Sequence, residues 1–242
     1  MSVDELQLLY GFPIEIGDIA VEPLTMKDIM KLKEPTYWKY VNMLTLNKDS
    51  FEVVDEEITI FDLVFTFCLK EDDFRDIFLK SLSCFLREEI KLHANNDNYF
   101  FYIENEEKCS FITRYNYEDI IEVIKLQNCL VKKEDDSDKD NPADEKARQI
   151  LERQKRAREL LAKAKKSNDE GEPLTLSDLV SILASNGNGI TPFNVWDLHF
   201  YMFNNQFNRM RMLEEYDVSI RSLLAGAKSE EVNLKHWMSK IK

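Results

Sequence analysis

The groups in this sequence most able to do chemistry are its carboxylates, three histidines and four cysteines, and their spacing limits what they could do. Adjacent carboxylates recur at Glu56-Glu57, Asp72-Asp73, Glu88-Glu89, Glu106-Glu107 and Glu214-Glu215. Such a pair can divide the roles of general acid and general base when its members sit in different environments. In a chain with 45 acidic against 32 basic residues, however, carboxylate pairs are expected on solvated faces and in first helical turns. His93, His199 and His236 are scattered, and His199 falls inside an aromatic run, which reads as structural. Cys68, Cys84, Cys109 and Cys129 lie in or beside apolar segments and read as reduced, mostly buried thiols. No HExxH, CxxC or DxDxDG spacing points to a metal, and no GxSxG to a serine nucleophile. Neither phosphate-cradling glycine pattern occurs; Gly187-Asn188-Gly189 comes nearest and reads as a helix stop followed by a turn. The expectation is a protein that is not an enzyme, with no catalytic, cofactor or metal site.

Two non-catalytic patterns remain. Trp196, Phe200, Phe203, Phe207 and Met210 are spaced 4, 3, 4 and 3, a sustained helical stripe with Met202 and Met212 beside it. One reading is the core of a small helical unit. The other is an adaptable surface for an amphipathic helix, to which flexible Met and broad aromatic side chains are suited. The second pattern is residues 146–166, which hold nine Lys or Arg against Glu152 and Glu159. Strong helix formers predict a basic helix of about 30 Å there. Arg153, Lys155, Arg156 and Arg158 are its candidate electrostatic contacts, to an acidic partner, to the acidic parts of the chain itself, or to nucleic acid. Aromatics for base stacking are missing from it, which favours protein contacts.

The elements around these patterns predict a mainly helical α+β fold. Ile14 and Ile16, then Ile19 and Val21, flank Gly17-Asp18 as a short hairpin. Thr25 with Asp28, Thr59 with Asp62 and Thr175 with Asp178 each read as a helix start, the hydroxyl accepting from a first-turn amide. Pro35 reads as a break, with a further helix from Thr36; Asp72-Asp73 opens another, and Asn116 caps one through Ile120, Ile124 and Leu126. Residues 89–93 and 99–103 read as a second hairpin, with Phe111 and Ile112 as an added strand. Thr191-Pro192 reads as a cap and first position of the aromatic helix, which ends near Leu213 or Leu224. Residues 132–145 contain no large apolar side chain and read as a flexible linker. The expected organisation is an N-terminal domain over 1–131, a charged linker with the basic helix over 132–173, and a small all-helical unit over 174–242.

A net charge of −13 disfavours general binding to nucleic acid or anionic membrane. No apolar run reaches the ~18–20 residues of a membrane span. The first residues lack the pattern of a signal peptide, so a cytoplasmic location is expected.

The runs Leu176 to Leu198 (LSDLVSILASNGNGITPFNVWDL), Phe203 to Met210 (FNNQFNRM) and Ile220 to Ala227 (IRSLLAGA) resemble the tail assembly chaperone family of tailed phages of Gram-positive bacteria. The resemblance implies a non-enzymatic protein of the host cytoplasm, absent from the mature virion. Such a chaperone coats the long helical tape-measure protein, and its C-terminal extension, often added by a translational frameshift, recruits tail-tube subunits. A structural virion component of the tail, neck or baseplate is the alternative. Self-association through the strand edges at 12–23 and 89–103 is a further expectation.

Overall fold

The computed structural model describes residues 3–51, 58–95, 98–104, 109–130, 174–186, 189–227, 232 and 234–241. The fold is mainly helical α+β. The first helix, α1, spans Glu5–Tyr10, and a hairpin of β1 (Ile14–Ile16) and β2 (Ile19–Val21) follows. Its register pairs Ile14 with Val21 and Ile16 with Ile19, so all four apolar side chains share one buried face, as the alternation predicts.

Helices α2 (Met26–Leu32) and α4 (Ile60–Lys70) both begin with complete capping boxes. Thr25 and Thr59 accept from the amides of Asp28 and Asp62, whose carboxylates accept in return from the threonine amides. Helix α3 (Glu34–Leu44) starts earlier than the sequence suggests. The break from α2 is made at Lys33, whose φ is 73°, and Pro35 sits inside the first turn of α3, where its missing N–H costs no intrahelical bond.

Helix α5 covers Asp72–Leu86, and three antiparallel strands follow: β3 (Ile90–Ala94), β4 (Tyr99–Glu104) and β5 (Cys109–Ile112), in the order β3-β4-β5. Phe101 of β4 lies under this sheet with ring centroids 5.0 Å from Phe65 of α4 and 5.3 Å from Phe78 of α5. Phe61, Val64, Phe65 and Cys68 are buried at the i, i+3, i+4, i+7 spacing of one α4 face. Helix α6 (Tyr117–Gln127) closes this core with Tyr117, Ile120, Ile121 and Ile124. Asn116 stands at the N-cap of α6, but its side chain does not cap. It turns backward, accepting from the Thr113 amide at 2.7 Å and donating to the Phe111 carbonyl at 2.8 Å, and so belongs to the turn before the helix.

Helix α7 (Leu176–Ser185) starts from the Thr175–Asp178 pair. The expected aromatic helix is shorter at its front. Thr191-Pro192-Phe193-Asn194 form a turn in which Thr191 and Asn194 exchange side-chain bonds with each other's amides. Trp196 then lies in a separate 3-10 turn, Val195–Asp197, and the long helix α8 is Phe200–Leu224. A tertiary contact sets that start. Thr25 and His199 form an antiparallel bridge, with Met26 N–H donating to Leu198 and Phe200 N–H to Leu24, which holds Leu198 and His199 extended.

Residues 1–131 and 180–242 belong to one compact unit. The small unit expected over 174–242 is therefore not separate, because residues 180–242 share the core of 1–131. Phe200 packs 5.6 Å from Tyr37 and 6.1 Å from Trp38. The linker expected over 132–173, the basic helix 146–166 and Arg153, Lys155, Arg156 and Arg158 lie outside the described residues.

Candidate partner-binding groove

The aromatic stripe faces inward. Phe200, Phe203 and Met210 are buried, and Trp196 and Phe207 are half-buried. Trp196 donates its indole N–H to the Pro192 carbonyl at 2.9 Å, a local bond that fixes the turn before α8. The five residues thus form the inner face of α8 and its approach. Met202, one position off that stripe, points into a groove shared with α1.

The local sequence explains α1. Asp4 caps it by accepting from the Leu6 amide at 2.9 Å, and Gly11 ends it in the left-handed region at φ 83°, donating to the Gln7 carbonyl at 2.9 Å. The helix is only six residues long, too short to persist without tertiary support. Leu8 gives it one buried apolar anchor, and His199 supplies a second tie: its Nε2–H donates to the Leu8 carbonyl at 2.7 Å. Burial lowers the His199 pKa, and the Leu8 bond only partly opposes that, so the ring is neutral at pH 7. A Cβ on Gly11 would lie 2.6 Å from His199 Nδ1, so the close approach of ring and backbone needs glycine there. Tyr201 adds a long 3.4 Å hydrogen bond to Glu5.

Held this way, α1 presents its other face to solvent. Leu6 is 71% exposed, Tyr10 70% and Phe12 55%, and the Tyr10 and Phe12 rings stack at 4.3 Å. With Leu9, Gln7 and Met202 they line an open groove of about 460 Å³. Four of its six lining residues are Leu6, Leu9, Phe12 and Met202, and the Tyr10 ring adds to them, so the groove can take apolar side chains. Contiguous large apolar side chains left in water at one place mark an interaction site.

The charged clusters elsewhere are explained by helix starts. Burial alone would raise Asp28, but hydrogen bonds from Thr25 and Arg87 outweigh it and hold the carboxylate below its usual range. Asp62 is lowered in the same way against its burial, by Tyr99, Thr59 and Arg114. Arg87 reaches Asp28 at 2.7 Å, and Arg114 reaches Asp62 at 3.2 Å while also donating to the Tyr99 hydroxyl. Among the described residues no group of three His, Cys, Asp or Glu could hold a metal ion. Nor is any described helix long and apolar enough to cross a membrane.

The groove was not read from the sequence, although a signal for it exists. Asp4-Glu5-Leu6-Gln7-Leu8-Leu9-Tyr10-Gly11 runs from a cap through a short apolar stretch to a glycine stop.

Fold and groove together describe a mainly helical α+β protein with an apolar recess built on a pinned N-terminal helix. Residues 163–242, about a third of the chain, match the family described as YomV second domain. That family name is phage-associated and supports, at that level, a phage protein. No curated protein and no solved structure matches the chain.

Proposed function

We propose that this chain is a non-enzymatic phage tail assembly chaperone. It binds the tape-measure protein and recruits tail-tube subunits in the host cytoplasm, and it is absent from the mature virion. The observation that carries the reading is the exposed apolar groove formed by Leu6, Leu9, Tyr10, Phe12 and Met202. The phage-associated match over residues 163–242 supports the setting.

A tape-measure protein is a long helix with apolar stripes, and an amphipathic helix binds by laying its apolar face into a hydrophobic groove. The stacked Tyr10 and Phe12 rings supply broad contact with little rotamer freedom to lose, and Met202 adapts to side chains of different shape. The net charge of −13 keeps a chain that exposes such surface soluble by self-repulsion. This assigns the partner surface to α1 and Met202 rather than to the buried part of the aromatic stripe.

The test is co-expression of the tagged chain with the tape-measure and tail-tube proteins of the same phage, together with mass spectrometry of purified particles. The reading expects the tape-measure protein to co-purify, the tail-tube protein to join that complex, and particles to lack the chain. Stoichiometric copies of the chain in particles would overturn it and make the protein a virion component.

A further inference from the structure

Helix α6 borders a second recess, of about 290 Å³, that shares no residue with the α1 groove. Leu44 at the end of α3, Leu46, Ile60 at the start of α4, and Ile121 give it aliphatic walls. Its polar groups come from Asn47, Lys48, Tyr117, Glu118 and Lys125. Tyr117, Ile121 and Lys125 follow one another at intervals of four, so they lie along one face of α6.

Two of these polar groups have no partner in the fold. Tyr117 is 2% exposed, yet its hydroxyl bonds no described residue, although buried hydroxyls are ordinarily paired. Nor is that hydroxyl sealed in: among the described residues, the fully enclosed side-chain polar atom without a partner is Gln127 Oε1. The Tyr117 hydroxyl therefore opens into the recess that its residue lines. Burial pushes its pKa up, so it stays a protonated donor. Lys125, half-buried on the same face, makes no ion pair with a described residue.

The lining defines what can enter. Lys48 and Lys125 against Glu118 leave one positive charge, in a chain whose net charge is −13. A single carboxylate balances that charge and can accept from both the Tyr117 hydroxyl and an ammonium group. A dianion would carry excess charge toward Glu118 and against aliphatic walls, where it has no compensation. Those walls call for a hydrocarbon body. At about 30 Å³ for each water-sized group, the volume holds a ligand of about ten non-hydrogen atoms.

We propose that this recess binds a small aliphatic monocarboxylate, its chain against Leu44, Leu46, Ile60 and Ile121 and its carboxylate held by Tyr117 and Lys125. The same chemistry is offered by a free acid and by an aliphatic carboxyl-terminal residue of a protein. The site goes beyond the chaperone reading, and neither depends on the other.

The experiment titrates the full chain, with isotope-labelled Ile and Leu methyl groups, with octanoate as the free acid and N-acetyl-leucine as the carboxyl-terminal residue. Saturable shifts are expected at Ile60 and Ile121, which report this recess, whereas Leu6 and Leu9 report the α1 groove. The acid that binds more tightly identifies the source. Octanol, which has the chain without the carboxylate, should bind at least about fivefold more weakly than that acid. Tyr117→Phe keeps the ring and Lys125→Met keeps the stem, and each should weaken the acid about fivefold while leaving octanol unchanged. No saturable shift at Ile60 and Ile121 with either acid, octanol binding as tightly as the acid, or full affinity for the acid in either variant would overturn the proposal.

Discussion

Two aromatic clusters in this protein use the same residue types to opposite ends. Beneath the three-stranded sheet, Phe61, Phe65, Phe78 and Phe101 are fully buried, with centroids 5.0 to 5.8 Å apart around Phe101. Beside α1, Tyr10 and Phe12 stack as closely, yet more than half of each side chain remains in water. The difference lies in what covers them. The first cluster is enclosed by helices α4, α5 and α6 and a sheet, each contributing apolar side chains. The second sits on a six-residue helix fixed on one side only, by Leu8 and His199. Burial in the first stabilises the fold. Exposure in the second leaves free energy to be released when a partner covers it.

Substitutions in the two clusters should separate these roles. The largest loss of stability is expected from Phe101→Ala, which removes the ring on which α4 and α5 both pack. Urea unfolding should show a drop of about 3–5 kcal/mol.

Next comes Gly11→Ala, where a methyl group meets the His199 ring at 2.6 Å and the backbone holds φ 83°. About 2 kcal/mol is expected in the same assay. Because the fault lies under α1, hydrogen exchange at Leu6 to Tyr10 should accelerate more than exchange in the sheet.

A smaller effect, about 1 kcal/mol, is expected from Thr59→Ala, which removes the hydroxyl from a complete capping box.

Acid should act on the α1 attachment in a defined window. The folded-state pKa of His199 lies below 6.5, so the unfolded chain takes up the proton first. Stability is then retained above about pH 6.5 and falls as the pH drops through that value toward the lower folded pKa. Asp28 and Asp62 stabilise the fold above the ordinary carboxylate range and lose that contribution only at more acidic pH, as they protonate. Melting temperatures between pH 7 and pH 5 should therefore decline in the wild-type chain and flatten in His199→Gln, whose amide can still donate to Leu8.

What was legible in the sequence was local. The hairpin over Ile14 to Val21 follows from a two-residue turn between alternating apolar residues. The boxes at Thr25 and Thr59 follow from a hydroxyl and a carboxylate three residues apart. What was not legible depended on distant partners. Thr191-Pro192 has the local form of a helix start, but α8 begins at Phe200 because Thr25 and Leu24, far away in sequence, take up the backbone of residues 198–200. Asn116 has the type and place of a cap, yet its side chain is spent on Thr113 and Phe111. The stripe from Phe200 to Met210 was recognisable as apolar, but only packing shows that its buried members are core and that neighbouring Met202 faces the groove. The short α1 was overlooked because six residues give too little periodicity to stand out.

The central claim is that exposed α1 is a partner surface and not a flaw in the core, and the smallest stability effect tests it most directly. Leu6→Gln and Tyr10→Gln change side chains already in water, so unfolding should shift by no more than about 0.5 kcal/mol. The affinity of these variants for a helical segment of the tape-measure protein, measured by titration calorimetry alongside the wild-type chain, should fall by about tenfold or more, since a few buried anchors carry most of an interface. Unchanged affinity in both variants, with the wild-type chain binding the segment, would contradict the assignment of this groove.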